Sequence, residues 1–209
     1  MRVLIASDAY YPPIVAGSAY FTTRLAHSLA EAGHEVAVVA PSLSMFHTRA
    51  MHARVHMFGV RSFPVFFYPG FRFVLPFFIS RHVAAAMREF QPDIVHIQMH
   101  FFISRSAIAE ARKQNIPVVA TNHFMPENIT HYLFLPKRVT RAINNAMWKD
   151  AARTFKKTRG VSAPTRTATA MLQPWFPKHV PAISNGIDLA RFNPTNSDIA
   201  AKERYPLPS

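Results

Sequence analysis

Between Met1 and Ala40 the chain passes through strand, loop, helix, tight turn and strand, and that order admits few folds. Arg2 to Ser7 is a short β-rich run, and a loop from Asp8 to Ser18 carries Pro12, Pro13 and Gly17. Ser18 is positioned to cap a helix whose apolar residues Phe21, Leu25 and Leu29 recur every four positions. Ala32-Gly33-His34 ends that helix, because glycine takes the left-handed backbone that other residues resist. Glu35 to Ala40 then reads as the second strand. A βαβ unit of this kind crosses over right-handed.

The alternation continues. Strands are predicted at Asp93 to Gln98, Ile116 to Thr121, Gly160 to Ala163 and Val180 to Ser184. Helices are predicted at Ile103 to Gln114, Pro136 to Phe155, and Pro164 to Leu172, the last with proline in its first turn. Asn185-Gly186 marks a turn. The expected fold is α/β: one Rossmann-like, doubly wound parallel sheet with helices on both faces. It spans residues 1–194, and the polar, proline-punctuated residues 195–209 read as the start of an interdomain connector.

Bulk properties narrow the function. The chain has 209 residues, 49% hydrophobic and 17% charged, enough for one buried core and too few for two full domains. It has no cysteine, which excludes disulfides and thiolate metal sites and fits a reducing compartment. MRVLIASDAYYPP reaches Asp8 too soon to hold a signal-peptide core. The apolar stretch Phe63 to Ile79 is broken by Pro64, Pro69, Gly70, Arg72 and Pro76, against a membrane-spanning helix. The formal net charge of +13 points to an anionic partner.

Four constellations can carry chemistry. In the first loop, Gly17 precedes a helix N-terminus, where backbone N–H groups attract phosphate; neither GxGxxG nor a P-loop lysine is present. His96 and His100 end the strand that opens at Asp93. TNHFMPENITHY, Thr121 to Tyr132, follows another strand and puts His123, Glu127 and His131 at its carboxyl end, where open α/β sheets bind ligands. Their spacing of four would align them on one helix face and invites a metal reading. Pro126 and the lack of a further ligand favour instead a general base or hydrogen-bonding role for His123, with Glu127 orienting it or contacting substrate.

The fourth is a basic helix. Arg138, Arg141, Lys149, Arg153 and Lys156 share one side of it, with Val139, Ile143, Ala146 and Met147 broadly opposite. Docking on an anionic membrane surface is the sharper reading, each basic residue contributing about 1 kcal/mol. The aromatic stretch around Phe66, Phe67, Tyr68, Phe71 and Phe73 can line a lipid groove or simply be core.

Pro12-Pro13 with Gly17, the Ala32 to Val36 turn, Pro92-Asp93-Ile94-Val95-His96 and Ser184-Asn185-Gly186-Ile187-Asp188 resemble, in order and spacing, glycosyltransferase family 4. Its members have the GT-B fold, two Rossmann-like domains facing a cleft. TNHFMPENITHY is similar to the lipid glycosyltransferases of that family, such as glucosyl-diacylglycerol synthases and phosphatidylinositol mannosyltransferases.

The resemblance implies an N-terminal, acceptor-side domain of a retaining, metal-independent hexosyltransferase. It has no cofactor beyond its substrate nucleotide-sugar, a UDP- or GDP-hexose, and a lipid hydroxyl as acceptor. His123 and Glu127 fall in the catalytic positions. Gly17 and Ala16 approach the donor diphosphate, although Ala16 stands where the family usually has a second glycine. Tyr11, His100, His131 and Tyr132 meet the acceptor. Lys137, Arg138, Arg141, Lys149, Arg153, Lys156 and Lys157 meet the membrane. The resemblance places the protein in the cytoplasm, peripheral on the inner face of the membrane. The C-terminal GT-B domain that binds most of the donor is missing from the sequence, so the 209 residues are expected to fold without turning over. The competing expectation is a non-catalytic membrane- or ligand-binding half-domain paired with a separate partner. Nucleic acid is not an expected partner, since no recognisable nucleic-acid module is present.

Overall fold

A computed structural model describes residues 1–10, 16–64, 72–77, 79–131, 134–190 and 192–193. Five strands form a parallel array: β1 (Arg2–Ala6), β2 (Glu35–Pro41), β7 (Ile94–Ile97), β8 (Val118–Thr121) and β9 (Gly160–Ser162). Beside β2 lies β4 (Val55–Val60), parallel to it, and at the edge β3 (Thr48–His52), antiparallel to β4. The sheet order is β3-β4-β2-β1-β7-β8-β9. A two-residue ribbon, β5 (Phe63–Pro64) with β6 (Arg72–Phe73), stands apart from it.

The helices divide unequally between the faces. On one side, α1 (Gly17–Glu31) packs on Val3, Ile5, Val36 and Val38. The other carries α2 (Ile79–Phe90), α3 (Phe102–Lys113), α5 (Lys137–Phe155) and α6 (Arg166–Leu172), packed on Leu4, Ala6, Val95, Ile97 and Val161. The one-turn α4 (Glu127–Thr130) links β8 to α5. Leu4 and Ile5, both fully buried and pointing to opposite faces, show why β1 is apolar from Val3 to Ala6: a central parallel strand has no wet side. Burial of each side chain contributes about 1.5–3 kcal/mol.

Several local expectations change. Ser18 does not cap α1. Ala16 occupies the N-cap with extended backbone (φ −149°) and offers no side-chain bond, while the Ser18 carbonyl accepts from the Thr22 hydroxyl at 2.7 Å. The buried stripe of α1 is Ala19, Thr22, Ala26 and Ala30, with Phe21, Leu25 and Leu29 half-buried beside it. Small residues let the helix lie close to the sheet. Gly33 does adopt φ +87° after α1. Pro164 lies outside α6, whose cap is Thr165, accepting from the Ala168 N–H at 3.1 Å. Of the strand expected at Val180 to Ser184 only a bridge between Ala163 and Ala182 forms. No helix among the described residues is long and apolar enough to cross a membrane.

Gly59 sits against the β3–β4 hairpin: a Cβ there would lie 2.1 Å from the Thr48 hydroxyl oxygen and 3.0 Å from Ser42 Cβ, so another residue would require the Thr48 side chain to turn away or β3 to shift.

Candidate functional site

Parallel strands deliver their carboxyl ends to one rim of the sheet, and the polar residues of the site collect there. From the loop after β1, Asp8 reaches across to α3. Its Oδ1 accepts from the Ile103 N–H at 2.8 Å and its Oδ2 from the Ser104 hydroxyl at 3.0 Å. Phe101, the N-cap of α3, has no polar side chain, so this remote carboxylate serves as the cap. Burial pushes the Asp8 carboxyl above the usual range, and the bonds from Ile103 and Ser104 oppose that.

Past β7, Gln98 is fully buried and its Oε1 lies 3.1 Å from His123 Nε2. With Gln98 Oε1 facing it the imidazole donates from Nε2, which leaves Nδ1 as its basic nitrogen, while Gln98 Nε2 is buried without a partner. The His123 ring is half-buried, 5.0 Å from the ring of Phe21, one turn into α1. Burial, then the neighbouring His96, lowers its pKa to about 4. At neutral pH His123 is an uncharged imidazole, held on one edge by Gln98 and on its face by α1. Below it, His96 Nε2 meets the Thr121 hydroxyl at 2.9 Å, and Thr121 meets Ser162 at 3.1 Å, so a polar chain runs across β7, β8 and β9.

Gly17 is the exposed first residue of α1. Among the described residues, a Cβ there would meet nothing within 4 Å. Ala16, the N-cap, offers no side-chain bond to the first N–H groups of α1.

His123, Glu127 and His131 do not share a helix face. His123 lies in the loop before α4, Glu127 opens α4, and His131 is exposed just past it. The reason is Pro126, which delays the helix. Glu127 Oε1 accepts from Trp148 Nε1 at 3.0 Å and ties α4 to α5, while its Oε2 is buried without a partner. Among the described residues no cluster of three or more His, Cys, Asp or Glu could hold a metal.

His100 departs from the expectation of an acceptor contact. It is 2% exposed, enclosed by Phe101, Phe124 and Phe155, and 3.8 Å from Asp150. Tyr11 and Tyr132 lie outside the described residues. Lys137, Arg138, Arg141, Lys149, Arg153, Lys156 and Lys157 are all exposed. The predicted apolar side of α5 is not its buried side. Trp148, Ala151, Ala152, Thr154 and Phe155 anchor the C-terminal part, whereas Val139 is 44% exposed. Phe134, just ahead of the helix, is 96% exposed.

Phe21 is read in the sequence only as an apolar position of the first helix, and Gln98 carries no functional reading although it sits in the same IVHIQMHFF run as His96 and His100. A strand-end glutamine carries no motif signal until its partner is known.

Four imidazoles, His82, His96, His100 and His123, have pKa values lowered to about 4, burial being the largest cause in each. Between pH 6.5, the ordinary value, and pH 4 the unfolded chain binds protons that the folded chain refuses. Their neutral burial thus favours folding fully above pH 6.5, and that contribution is lost as pH falls toward 4. Urea melts from pH 7 to pH 4 should show stability dropping by several kcal/mol, on the order of 2 kcal/mol per histidine. A flat profile would contradict the buried, neutral assignment.

Comparisons with known proteins bear on what such a rim binds. The model of the family described as Glycosyltransferase Family 4 matches residues 15–191. An alpha-monoglucosyldiacylglycerol synthase of Acholeplasma laidlawii is 32% identical over 172 residues, covering 77% of this chain and 42% of that protein. A GDP-mannose-dependent alpha-mannosyltransferase of Mycobacterium tuberculosis is 26% identical over 210 residues, covering 98% and 52%. The chain thus spans about half the length of these curated relatives. Among solved structures, sucrose-phosphate synthase from Thermosynechococcus elongatus superposes with a TM-score of 0.67 at 13% identity, over 100% of this chain and 53% of that one, which is a likeness of fold.

Proposed function

The chain belongs to glycosyltransferase family 4, with the fold of the N-terminal half of a GT-B enzyme, and from that premise we propose that it forms the acceptor side of a retaining hexosyltransferase. The donor in this reading is a UDP- or GDP-hexose and the acceptor a lipid hydroxyl. The synthase and mannosyltransferase named above support that substrate class. The observation that carries the proposal is His123, a neutral imidazole at the carboxyl rim, packed on the same helix whose bare start is Gly17.

Transfer breaks the bond between the sugar's anomeric carbon and the diphosphate, which leaves with the electron pair. The acceptor oxygen forms the new bond, and its proton passes to the leaving-group side. Charge therefore develops on the diphosphate, where the N–H groups and dipole of α1 at Gly17 stabilise it. His123 gives its Nε2–H to Gln98 and keeps Nδ1 to accept from a sugar hydroxyl. With a pKa near 4 it works as an orienting acceptor and not as an acid. No metal is assigned to the reaction. Glu127 acts through α4, holding the loop that carries His123 against Trp148. The chain covers 42% and 52% of the two curated relatives, and in this reading most of the donor's affinity comes from the half they have in addition.

Labelled UDP-glucose and GDP-mannose, offered with vesicles of diacylglycerol or phosphatidylinositol, test the proposal. Lipid-linked sugar is expected when the chain is combined with a family C-terminal half, and none from the chain alone. Vesicle binding with no transfer in either case would favour a non-catalytic half-domain.

The exposed N-terminal part of α5, with Phe134 ahead of it, is assigned to an anionic inner-leaflet surface. Each basic residue near such a surface contributes about 1 kcal/mol. Replacing Lys137, Arg138 and Arg141 together by glutamine should weaken binding to phosphatidylglycerol vesicles by about 100-fold. Unchanged flotation would move the membrane contact elsewhere.

A further inference from the structure

Gln98 stands where packing alone would favour an apolar side chain. It is fully buried just past β7, and its backbone N–H donates to the Ala6 carbonyl at 3.1 Å. The next residue, Met99, packs against Ala9 and Ala19, so the main chain here is held by the loop after β1 and by the first turn of α1. The side-chain amide is half spent. Its Oε1 meets His123 Nε2, while its own Nε2 is buried with no partner among the described residues. An unpaired buried donor destabilises a fold, and an apolar side chain of the same length would remove that loss.

The backbone around His123 is braced as well. Asn122, 1% exposed, clasps Phe124 on both sides: its Oδ1 accepts from the Phe124 N–H at 3.2 Å, and its Nδ2 donates to the Phe124 carbonyl at 3.0 Å. What remains free is rotation of the His123 ring itself. Phe21 stands against that ring at 53°, which limits rotation without choosing between its two nitrogens. Gln98 makes that choice. With Oε1 toward the ring the proton sits on Nε2; with the amide turned over, its NH2 would face the ring and drive the proton to Nδ1. Gln98 is also uncharged. A carboxylate in its place would draw a second proton onto the imidazole, whereas His96 of β7, the ionisable neighbour that acts on the ring, works against one.

We propose that Gln98 is a positioning residue of sugar transfer: its amide holds the His123 ring in one orientation with one bare nitrogen, and leaves its own NH2 unpaired in the core. This role rests on the reading of His123 as an acceptor for a sugar hydroxyl. A ring free to turn would aim its lone pair correctly only part of the time, and a misplacement of about 1 Å can lower a rate about 100-fold.

Two variants test it: Gln98→Met, of similar length without the amide, and Gln98→Glu. Nitrogen NMR of the histidine-labelled chain reads the ring proton and urea melts read the fold, both without donor or acceptor. Wild type is expected to show a neutral His123 at pH 7 with the proton on Nε2 alone. In Gln98→Met the proton should divide between the two nitrogens, while the urea midpoint matches or exceeds that of wild type. With the chain joined to a family C-terminal half, kcat of that variant should fall about tenfold at little-changed donor KM. In Gln98→Glu the imidazole and carboxylate should titrate as a pair between about pH 5 and 9 and give the rate a limb absent from wild type. A wild-type proton on Nδ1 would overturn the proposal, as would Gln98→Met with wild-type kcat. A urea midpoint far below wild type in Gln98→Met would do the same, by making Gln98 a structural residue. A joined wild type that transfers no sugar, with the Nε2 proton in place, would refute sugar transfer itself and not the hold of Gln98 on the ring.

Discussion

When the chain is joined to a family C-terminal half, His123→Ala is expected to lower the rate of sugar transfer about 100-fold, with much less change in donor KM. The loss follows from removing Nδ1, the acceptor left free once Nε2 has been given to Gln98. Folding should suffer far less. The ring is half-buried, and its loss leaves Gln98 Oε1 unpaired, at a cost of about 1–3 kcal/mol. Because the pKa of His123 lies near 4, no limb of the pH–rate profile near 6.5 should belong to it. Steady-state kinetics from pH 5 to 9, on wild type and His123→Ala, checks both statements. An alanine variant with wild-type turnover would remove His123 from the reaction.

Gly17→Val is expected to have the cleaner effect. The added Cβ meets no atom of the described residues within 4 Å, and Gly17 does not need a left-handed backbone, so the melting temperature should barely move. The new methyl groups would occupy the space over the start of α1, where the diphosphate must approach backbone N–H groups. Transfer should fall by about 100-fold or more, a loss of the size seen when a donor to developing charge is removed. Activity loss without stability loss marks a residue kept for a ligand. Full activity in Gly17→Val would mean that the diphosphate is held elsewhere.

What could be read from the sequence follows the range of each interaction. The β1–α1–β2 unit was legible because its signals are local: an apolar run, a helical period and Gly33 where the backbone turns left-handed. His123 was legible because a short apolar strand directly precedes it. The edge strand β3 was not, since TRAMH is exposed throughout and has no apolar alternation. Helix α2 hid behind the phenylalanine-rich stretch, whose hydrophobicity obscured the buried stripe Val83, Ala84, Met87 and Phe90. Long-range partners were invisible. Nothing near Asp8 announces that it caps a helix 95 residues away. Nothing near His100 announces that Phe155 will close over it, or near Glu127 that Trp148 will take its carboxylate. His123 stands at the carboxyl rim that its place after a strand suggests, whereas the shared helix face inferred from the spacing of His123, Glu127 and His131 does not form.

The central claim is that the edge of His123 and the start of α1 are two walls of one sugar-binding cleft. Carbon-detected and amide NMR of the protein, labelled at histidine and glycine and combined with a C-terminal half, reads both walls as a UDP- or GDP-hexose is added. The account predicts that the His123 ring and the Gly17 amide shift together, saturating at one donor concentration, while His100 stays where it was. Movement of His100 with His123 and Gly17 unchanged would contradict it.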